Sequence, residues 1–523
     1  MLYNILAADG IAGEGIEILK KKFNVEVRDK ISHEELLEII PQFDGLIVRS
    51  ASKVTADVLE RAENLKIIGR AGVGVDNIDV KAATEKGIIV INSPDGNTIA
   101  ATEHTFAMML AVSRNIPQAN ATMHNGEWDR KKFVGVELRN KTLGVIGLGR
   151  IGAGVAKRAQ SFNMNVVAYD PFVSADRAES LGVKLIELDE LFKTADFITV
   201  HMPLTKKTEN MISLAEMKTM KPTVRLINCA RGGIINEADL AVALSEKIIS
   251  GAAIDVFTKE PLENSPLQNL PNIILTPHLG ASTVEAQIGV SVDVAHGIID
   301  ALDGKPVSTA VNMPHIPAHV LKKITPYLDL AERLGRTITA LSKKPISDLE
   351  IKINGNIAEN DTSMISTAVL KGVLSDALDL NVNFVNAKFI AAERGIHVSE
   401  ISSKTPVSFS NIIKVTANSN SVSGTLFGDE ARIVTINKFR VDVDPHARIL
   451  VCPHINRPGV IGAIGTLLAN YKINISSMQV GKSDIGGTNV MVLTVDNPIS
   501  REVIDKVKEY DAIFDATLVA FDD

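Results

Sequence analysis

Cysteine is nearly missing from this chain: Cys229 and Cys452 are the only two. They show no metal or redox spacing, so a disulfide framework is excluded, no metal is expected, and a reducing cytoplasm is the natural home. Positive charge is not in surplus either. Lys and Arg number 55 against 62 Asp and Glu, a formal charge of −7, which argues against an electrostatic nucleic-acid surface. An anionic substrate must then be met by local basic clusters. Long apolar runs are also lacking, since none approaches the roughly 18 residues of a membrane span. The opening MLYNILAADGIAGEGIEIL has no charged leader and reads as a strand and turn.

What is present is ordinary for a globular protein, with 45% hydrophobic and 22% charged residues. At 523 residues the chain exceeds one core, and about three or four domains are expected. Short apolar strands alternate with helical patterns from the first residue: YNILAAD, VEVRD, GLIVRS, LKIIGRAG and IIVINSP. Such alternation predicts a parallel sheet covered by helices. A long helix over 98–114 follows, then a second series: TLGVIG, NVVAYD, FITVHMP, RLINCA, GAAIDVF and IILTPH. Another long helix begins near 283. The fold class is therefore α/β, with one Rossmann-like unit (98–286) inserted into another (1–97 rejoined by 287–312). Residues 313–446 mix helix and strand patterns in an intervening α+β unit, where NSNSVSGTLFGD (418–429) reads as a turn. Residues 447–523 follow a ferredoxin-like βαββαβ order.

Residues 142–170, TLGVIGLGRIGAGVAKRAQSFNMNVVAYD, carry a dinucleotide fingerprint in its proper context of strand, turn, helix and strand. Gly147 permits the tight turn, Gly149 lets backbone N–H groups approach a pyrophosphate, and Gly152 lets helix and strand pack closely. The helix N-terminus favours the phosphates. Asp170 stands 18 residues after Gly152, where its carboxylate can accept the adenosine ribose hydroxyls and repel a 2′-phosphate. The cofactor expected is NAD.

Three residues follow later strands: Arg231 in NCARGG, Glu260 in DVFTKEPL and His278 in LTPHLGAST. Each alone has a structural explanation as a turn anchor, a solvated acid or a packed histidine. Together they suit oxidation of a 2-hydroxy acid, which needs a base for the hydroxyl proton, a cation for the carboxylate and a group tuning the base.

With GLGRIG, HMPL, NCARGG, AIDVFTKEPL and TPHLGAST, residues 1–312 resemble the D-isomer-specific 2-hydroxyacid dehydrogenases. The resemblance implies that His278 is the acid–base, Glu260 its partner and Arg231 the substrate-orienting arginine. It places cofactor contacts on Arg150, Ile151, Asp170, Met202, Cys229, Ala230, Arg231, Asp255, His278, Gly280 and Ala281. Met202 departs from the family's usual small hydroxyl residue, so a side-chain hydrogen bond there is lost.

LIVRSAS, RAGVGVDNID and SPDGNTIAATEHT resemble the phosphoglycerate dehydrogenase branch of that family. By this resemblance the substrate is 3-phosphoglycerate, held by Arg49, Ser50, Arg70, Gly72, Val73, Gly74 and Asn97. Arg130, Lys131 and Lys132 are phosphate candidates reaching a partner's cleft, or simply a solvated charge run. The tail HINRPGVIGAIGTLLANYKINISSMQVGK resembles an ACT domain, with His454, Asn456 and Asn474 as candidates for binding an L-serine effector. Lys438 and Arg440 are weaker anion candidates. A homotetramer without nucleic-acid or membrane partners is expected. A glyoxylate or hydroxypyruvate reductase, or a non-enzymatic NAD-sensing scaffold, stays open as an alternative.

Overall fold

The computed structural model describes residues 2–305, 307–314, 316–375, 382–482 and 487–520. The first sheet comprises β1 (Asn4–Ala8), β2 (Asn24–Arg28), β3 (Gly45–Val48), β4 (Ile67–Arg70) and β5 (Ile89–Asn92). All pair in parallel, in the order β2-β1-β3-β4-β5. Both faces are apolar because helices cover both, as a parallel sheet requires. Leu36, Val58, Leu59 and Ile88 fill one side, and Leu19, Val294 and Ile298 the other. Helix Val284–Leu302 presses close to β4, where a Cβ on Gly69 would lie 2.4 Å from Val294 Cγ1. The chain then runs back along β5. Val311 N donates to Val90 O at 2.7 Å, and Asn312 Oδ1 accepts from Val90 N at 2.9 Å. Residues far apart in sequence thus complete one layer.

The second sheet holds β6 (Thr142–Ile146), β7 (Asn165–Tyr169), β8 (Lys184–Leu185), β9 (Phe197–Val200), β10 (Arg225–Asn228), β11 (Gly251–Ile254) and β12 (Ile273–Leu275). It is parallel, in the order β12-β11-β10-β9-β6-β7-β8. The order reverses between β6 and β9, which opens a crevice at the carboxyl ends of those strands. Helix Thr98–Arg114 lies against helix Arg150–Ser161, and Gly154 allows the approach, its virtual Cβ being 2.9 Å from Thr102 Oγ1.

The third sheet is mixed: β13 (Asp348–Gly355), β14 (His397–Ser403), β15 (Asn411–Ala417), β16 (Asn420–Phe427), β17 (Glu430–Ile436) and β18 (Phe439–Val443). Its order is β14-β13-β15-β16-β17-β18, with only β13 and β14 parallel. Here the structure corrects the turn expected over 418–429. Most of that stretch, Asn420–Phe427, is β16, and Val422, Ser423, Gly424 and Thr425 are all buried. Small residues are needed there because helix Ala318–Leu341 packs on the strand. A Cβ on Gly424 would lie 2.7 Å from Leu330 Cδ1. Thr425 satisfies its buried hydroxyl by donating to Asn411 O at 2.5 Å.

The last sheet contains β19 (Ile449–Ile455), β20 (Ile475–Lys482), β21 (Thr488–Val495) and β22 (Thr517–Val519), antiparallel in the order β20-β21-β19-β22. Helices Val460–Asn470 and Arg501–Lys508 complete the βαββαβ path. Between β20 and β21, residues 483–486 lie outside the described residues. Among the described residues, no helix is long and apolar enough to cross a membrane.

Candidate active site

Parallel pairing in register brings the carboxyl ends of β10, β11 and β12 to one edge of the second sheet. The residues that follow these strands therefore meet. His278 Nδ1 lies 2.8 Å from Glu260 Oε2, and the other oxygen of Glu260 accepts the Phe257 amide at 3.0 Å. The Glu260 bond raises the His278 pKa; burial and Arg231 oppose it, while the Glu260 and Asp255 charges add to it. Burial alone would raise the Glu260 pKa, but its bonds from His278 and the Phe257 amide outweigh this and lower it. With Nδ1 committed to the carboxylate, Nε2 is the nitrogen left to exchange a proton. His201, after β9, is unsuited to that work because burial pushes its pKa down to about 4.

Arg231 reaches away from its own sheet. Its Nε contacts Asp76 Oδ2 at 3.1 Å, and Nη1 donates to Ala230 O at 2.7 Å. Gly74 makes this crossing possible, for a Cβ there would lie 2.1 Å from Arg231 Nη2. Gly72, at φ 150°, does the same for Arg70, whose Nη1 would be 1.6 Å from such a Cβ. The Arg70 guanidinium is held below its ordinary range by burial and by the charges of Arg231 and Arg49. Arg49, Arg70 and Arg231 thus feel one another's charge, with Asp76 and Asp9 opposing that effect at Arg70. Arg70 Nε and Asn97 Oδ1 are buried without a protein partner, as groups awaiting a ligand would be.

The loop carrying Arg49 and Ser50 is tied down from both sides. Asp9 Oδ2 accepts the amides of Arg49 and Ser52, each at 2.9 Å. Asn77 Nδ2 donates to Arg49 O at 2.7 Å and to Ser52 O at 2.6 Å. Asn92 Nδ2 donates to Val73 O at 2.6 Å, which steadies the Gly72–Gly74 turn.

The nucleotide turn fits its expected cofactor. Gly147 sits at φ 93°, and a Cβ there would meet His201 O at 2.6 Å; a Cβ on Gly152 would lie 2.0 Å from Gly147 O. Gly149 faces open space, with nothing within 4 Å of its virtual Cβ. Asp170 anchors the turn by accepting Leu148 N at 2.8 Å and Phe172 N at 2.9 Å. Each of its oxygens keeps a lone pair for a ribose hydroxyl. Arg150 and Ile151 open the helix behind Gly149, and Met202 lines the back of the turn, its Cγ 2.8 Å from the virtual Cβ of Gly147. Cys229, Ala230 and Ala281 are half-buried near the strand ends, while Gly280 is buried. Asp255 is wholly enclosed, its carboxylate accepting the Leu279 and Gly280 amides at 2.8 and 2.9 Å.

Other candidates stand apart. Arg130, Lys131 and Lys132 are exposed, the last two amides bonded to Asp129 Oδ1. Lys438 lies over the Phe439 ring and Arg440 is exposed on β18. In the last sheet His454 is buried with Nδ1 unpartnered, Asn456 and Asn474 are exposed, and the Asn474 amide donates to Asp496. The sequence reading passed over Asp9, Asp76 and Asp95. Asp95 pairs with Arg150 at 2.6 Å. Nothing local marks these acids, since their partners lie 40 or more residues away.

Residues 106–280 match the model of the D-isomer specific 2-hydroxyacid dehydrogenase NAD binding domain. Residues 323–437 match the D-3-phosphoglycerate dehydrogenase intervening domain, and residues 449–512 the ACT domain. The chain is 47% identical to D-3-phosphoglycerate dehydrogenase of Methanocaldococcus jannaschii, covering 99% of this chain and 100% of that protein. It is 46% identical to the enzyme of that name from Synechocystis, covering 98% and 94%. A solved D-lactate dehydrogenase from Aquifex aeolicus, complexed with NAD and lactic acid, is 28% identical with a TM-score of 0.53. It aligns over 58% of this chain and 96% of its own. The chain therefore belongs to the D-3-phosphoglycerate dehydrogenases, NAD-dependent oxidoreductases of the D-isomer specific 2-hydroxyacid dehydrogenase family.

Proposed function

We propose that the chain oxidises D-3-phosphoglycerate at C2 to 3-phosphohydroxypyruvate, the first step toward L-serine. The observation that carries this reading is the meeting of Arg49, Arg70 and Arg231 beside the His278–Glu260 pair. A simple 2-hydroxy acid carries one carboxylate and needs one arginine. Three arginines suit a substrate with a second, doubly charged group. The names of the relatives point the same way.

In this reading Arg231 grips the carboxylate, Arg49 and Arg70 take the phosphate with Ser50 and the Gly72–Gly74 amides, and Asn97 fixes the substrate near the helix that follows it. His278 Nε2 accepts the hydroxyl proton as the C2 carbonyl forms, and Glu260 stabilises the imidazolium that results. Gly147 to Gly152 and Asp170 hold NAD, which supplies the hydride acceptor when bound. Units 1–97 with 287–312 and 98–286 form the two walls of the cleft, and 313–446 with 447–523 form a regulatory tail. L-serine at His454, Asn456 and Asn474 would lower activity, in a cytoplasmic homotetramer.

NADH formation from 3-phosphoglycerate, set beside NADH consumption with hydroxypyruvate, 2-oxoglutarate and glyoxylate, tests the substrate. Each is run with and without L-serine. Turnover confined to the unphosphorylated acids overturns the substrate; indifference to serine removes only the feedback.

A further inference from the structure

His104 has no part in the chemistry described above, yet it lies directly behind the acid–base turn. It sits on helix Thr98–Arg114, and its side chain is 18% exposed. Its Nε2 is 3.1 Å from Asp255 Oδ1 and 3.3 Å from Thr276 Oγ1. An ionised carboxylate can only accept, so Nε2 carries the hydrogen. Asp255 is 0% exposed and its carboxylate takes three further donors: Thr276 Oγ1 at 2.6 Å, Leu279 N at 2.8 Å and Gly280 N at 2.9 Å. The Asp255 carbonyl accepts His278 N at 2.9 Å.

These bonds all converge on residues 276–280, the turn that presents His278. That turn is not one the chain adopts freely. His278 has φ 55°, a left-handed conformation that costs a non-glycine residue on the order of 1 kcal/mol or more. A buried carboxylate is itself costly unless fully bonded. Cys229 completes the group, its ligand atom within 4.8 Å of those of His104 and Asp255. Burial and the Asp255 charge push its thiol up to about 12, so it remains neutral and adds no second negative charge beside Asp255. Helix Thr98–Arg114 contributes His104 to this group, along with Met108, whose Sδ lies 3.7 Å from Thr276 Oγ1.

We infer that His104 is a positioning residue for the dehydrogenation. By presenting Nε2–H to Asp255 and Thr276 it keeps that carboxylate on the Leu279 and Gly280 amides, and so holds His278 in the left-handed turn that faces Glu260. The inference rests on the reading of His278 as the acid–base. It makes His104 a donor rather than a filler of space.

The test uses the full chain with His104→Ala and His104→Gln, the amide of glutamine reaching the place of Nε2. Hydrogen–deuterium exchange of the peptide spanning 276–283 is followed alongside steady-state kinetics. For His104→Ala the exchange of that peptide rises and kcat falls about tenfold, the equivalent of one hydrogen bond of about 1.4 kcal/mol. KM for 3-phosphoglycerate stays within about twofold, because the Arg49, Arg70 and Arg231 side chains that would bind it are untouched. His104→Gln restores both protection and kcat. Should the alanine variant fail to fold, His104→Leu, which keeps volume without a donor, carries the same expectation. Normal exchange and kcat in the donorless variants overturn the inference. So does a glutamine variant as impaired as alanine, or a rise in KM at unchanged kcat. If 3-phosphoglycerate is not turned over, the substrate reading fails, and the exchange data with kcat on the acid that is oxidised still decide the role of His104.

Discussion

Arg231 leaves its own sheet to meet Asp76 in the turn after β4 of the first, with Nε 3.1 Å from the carboxylate and Gly74 beside it supplying the room. The guanidinium is therefore held in place, with Nη2 beside Gly74. Arg231→Lys keeps the charge and loses the fork. A fall in kcat/KM of about 100-fold is expected, or about 2.7 kcal/mol of transition-state stabilisation. Steady-state kinetics checks it; an unchanged kcat/KM assigns the carboxylate to another residue.

Glu260 raises the pKa of His278, which in the proposed reading must be neutral to take the hydroxyl proton. Oxidation is thus lost as pH falls through that raised value. In Glu260→Gln the supporting charge is gone, so the acid limb of kcat/KM moves to lower pH while kcat drops roughly 10- to 100-fold. An acid limb that stays in place or moves up would sink this assignment.

In the proposed reading Asp170 governs the cofactor's ribose end, besides accepting the Leu148 and Phe172 amides. Asp170→Ser removes the negative charge that repels a 2′-phosphate and should raise KM for NAD about tenfold while narrowing the preference over NADP. Initial rates with both cofactors measure it. A selectivity ratio equal to that of the parent would show that Asp170 serves only the amides of Leu148 and Phe172.

Gly372 lies where helix Ser363–Ser375 crosses helix Ala318–Leu341, and a Cβ there would be 1.9 Å from Glu332 O. The atom it meets is backbone, which cannot step aside. Gly372→Val should cost about 1–3 kcal/mol in the unit that contains it, seen as a lowered first transition in thermal unfolding. Since the cleft is built from other sheets, kcat at low temperature should be spared. A Tm equal to the parent's refutes the packing argument.

Much of this protein was legible in one dimension. Helix 98–114 is where its apolar spacing put it, and the alternation of strand and helix announced two parallel sheets, because period and turn chemistry are local properties of the chain. Gly147, Gly149, Gly152 and Asp170 could be read together because the turn they build spans fewer than 30 residues. Residues 418–429 misled for a local reason as well: serine and glycine favour turns, and only the helix pressing Leu330 onto Gly424 makes small residues the right ones for a buried strand. The amino-acid sequence by itself determined most element types and the nucleotide fingerprint. Tertiary structure alone decided which acid each cation meets. Arg231 and Asp76 are 155 residues apart, and His104 reaches Asp255 only because helix 98–114 lies against the second sheet. A contact between distant residues is set by how whole sheets pack, and that is a sum over many side chains that no short stretch contains.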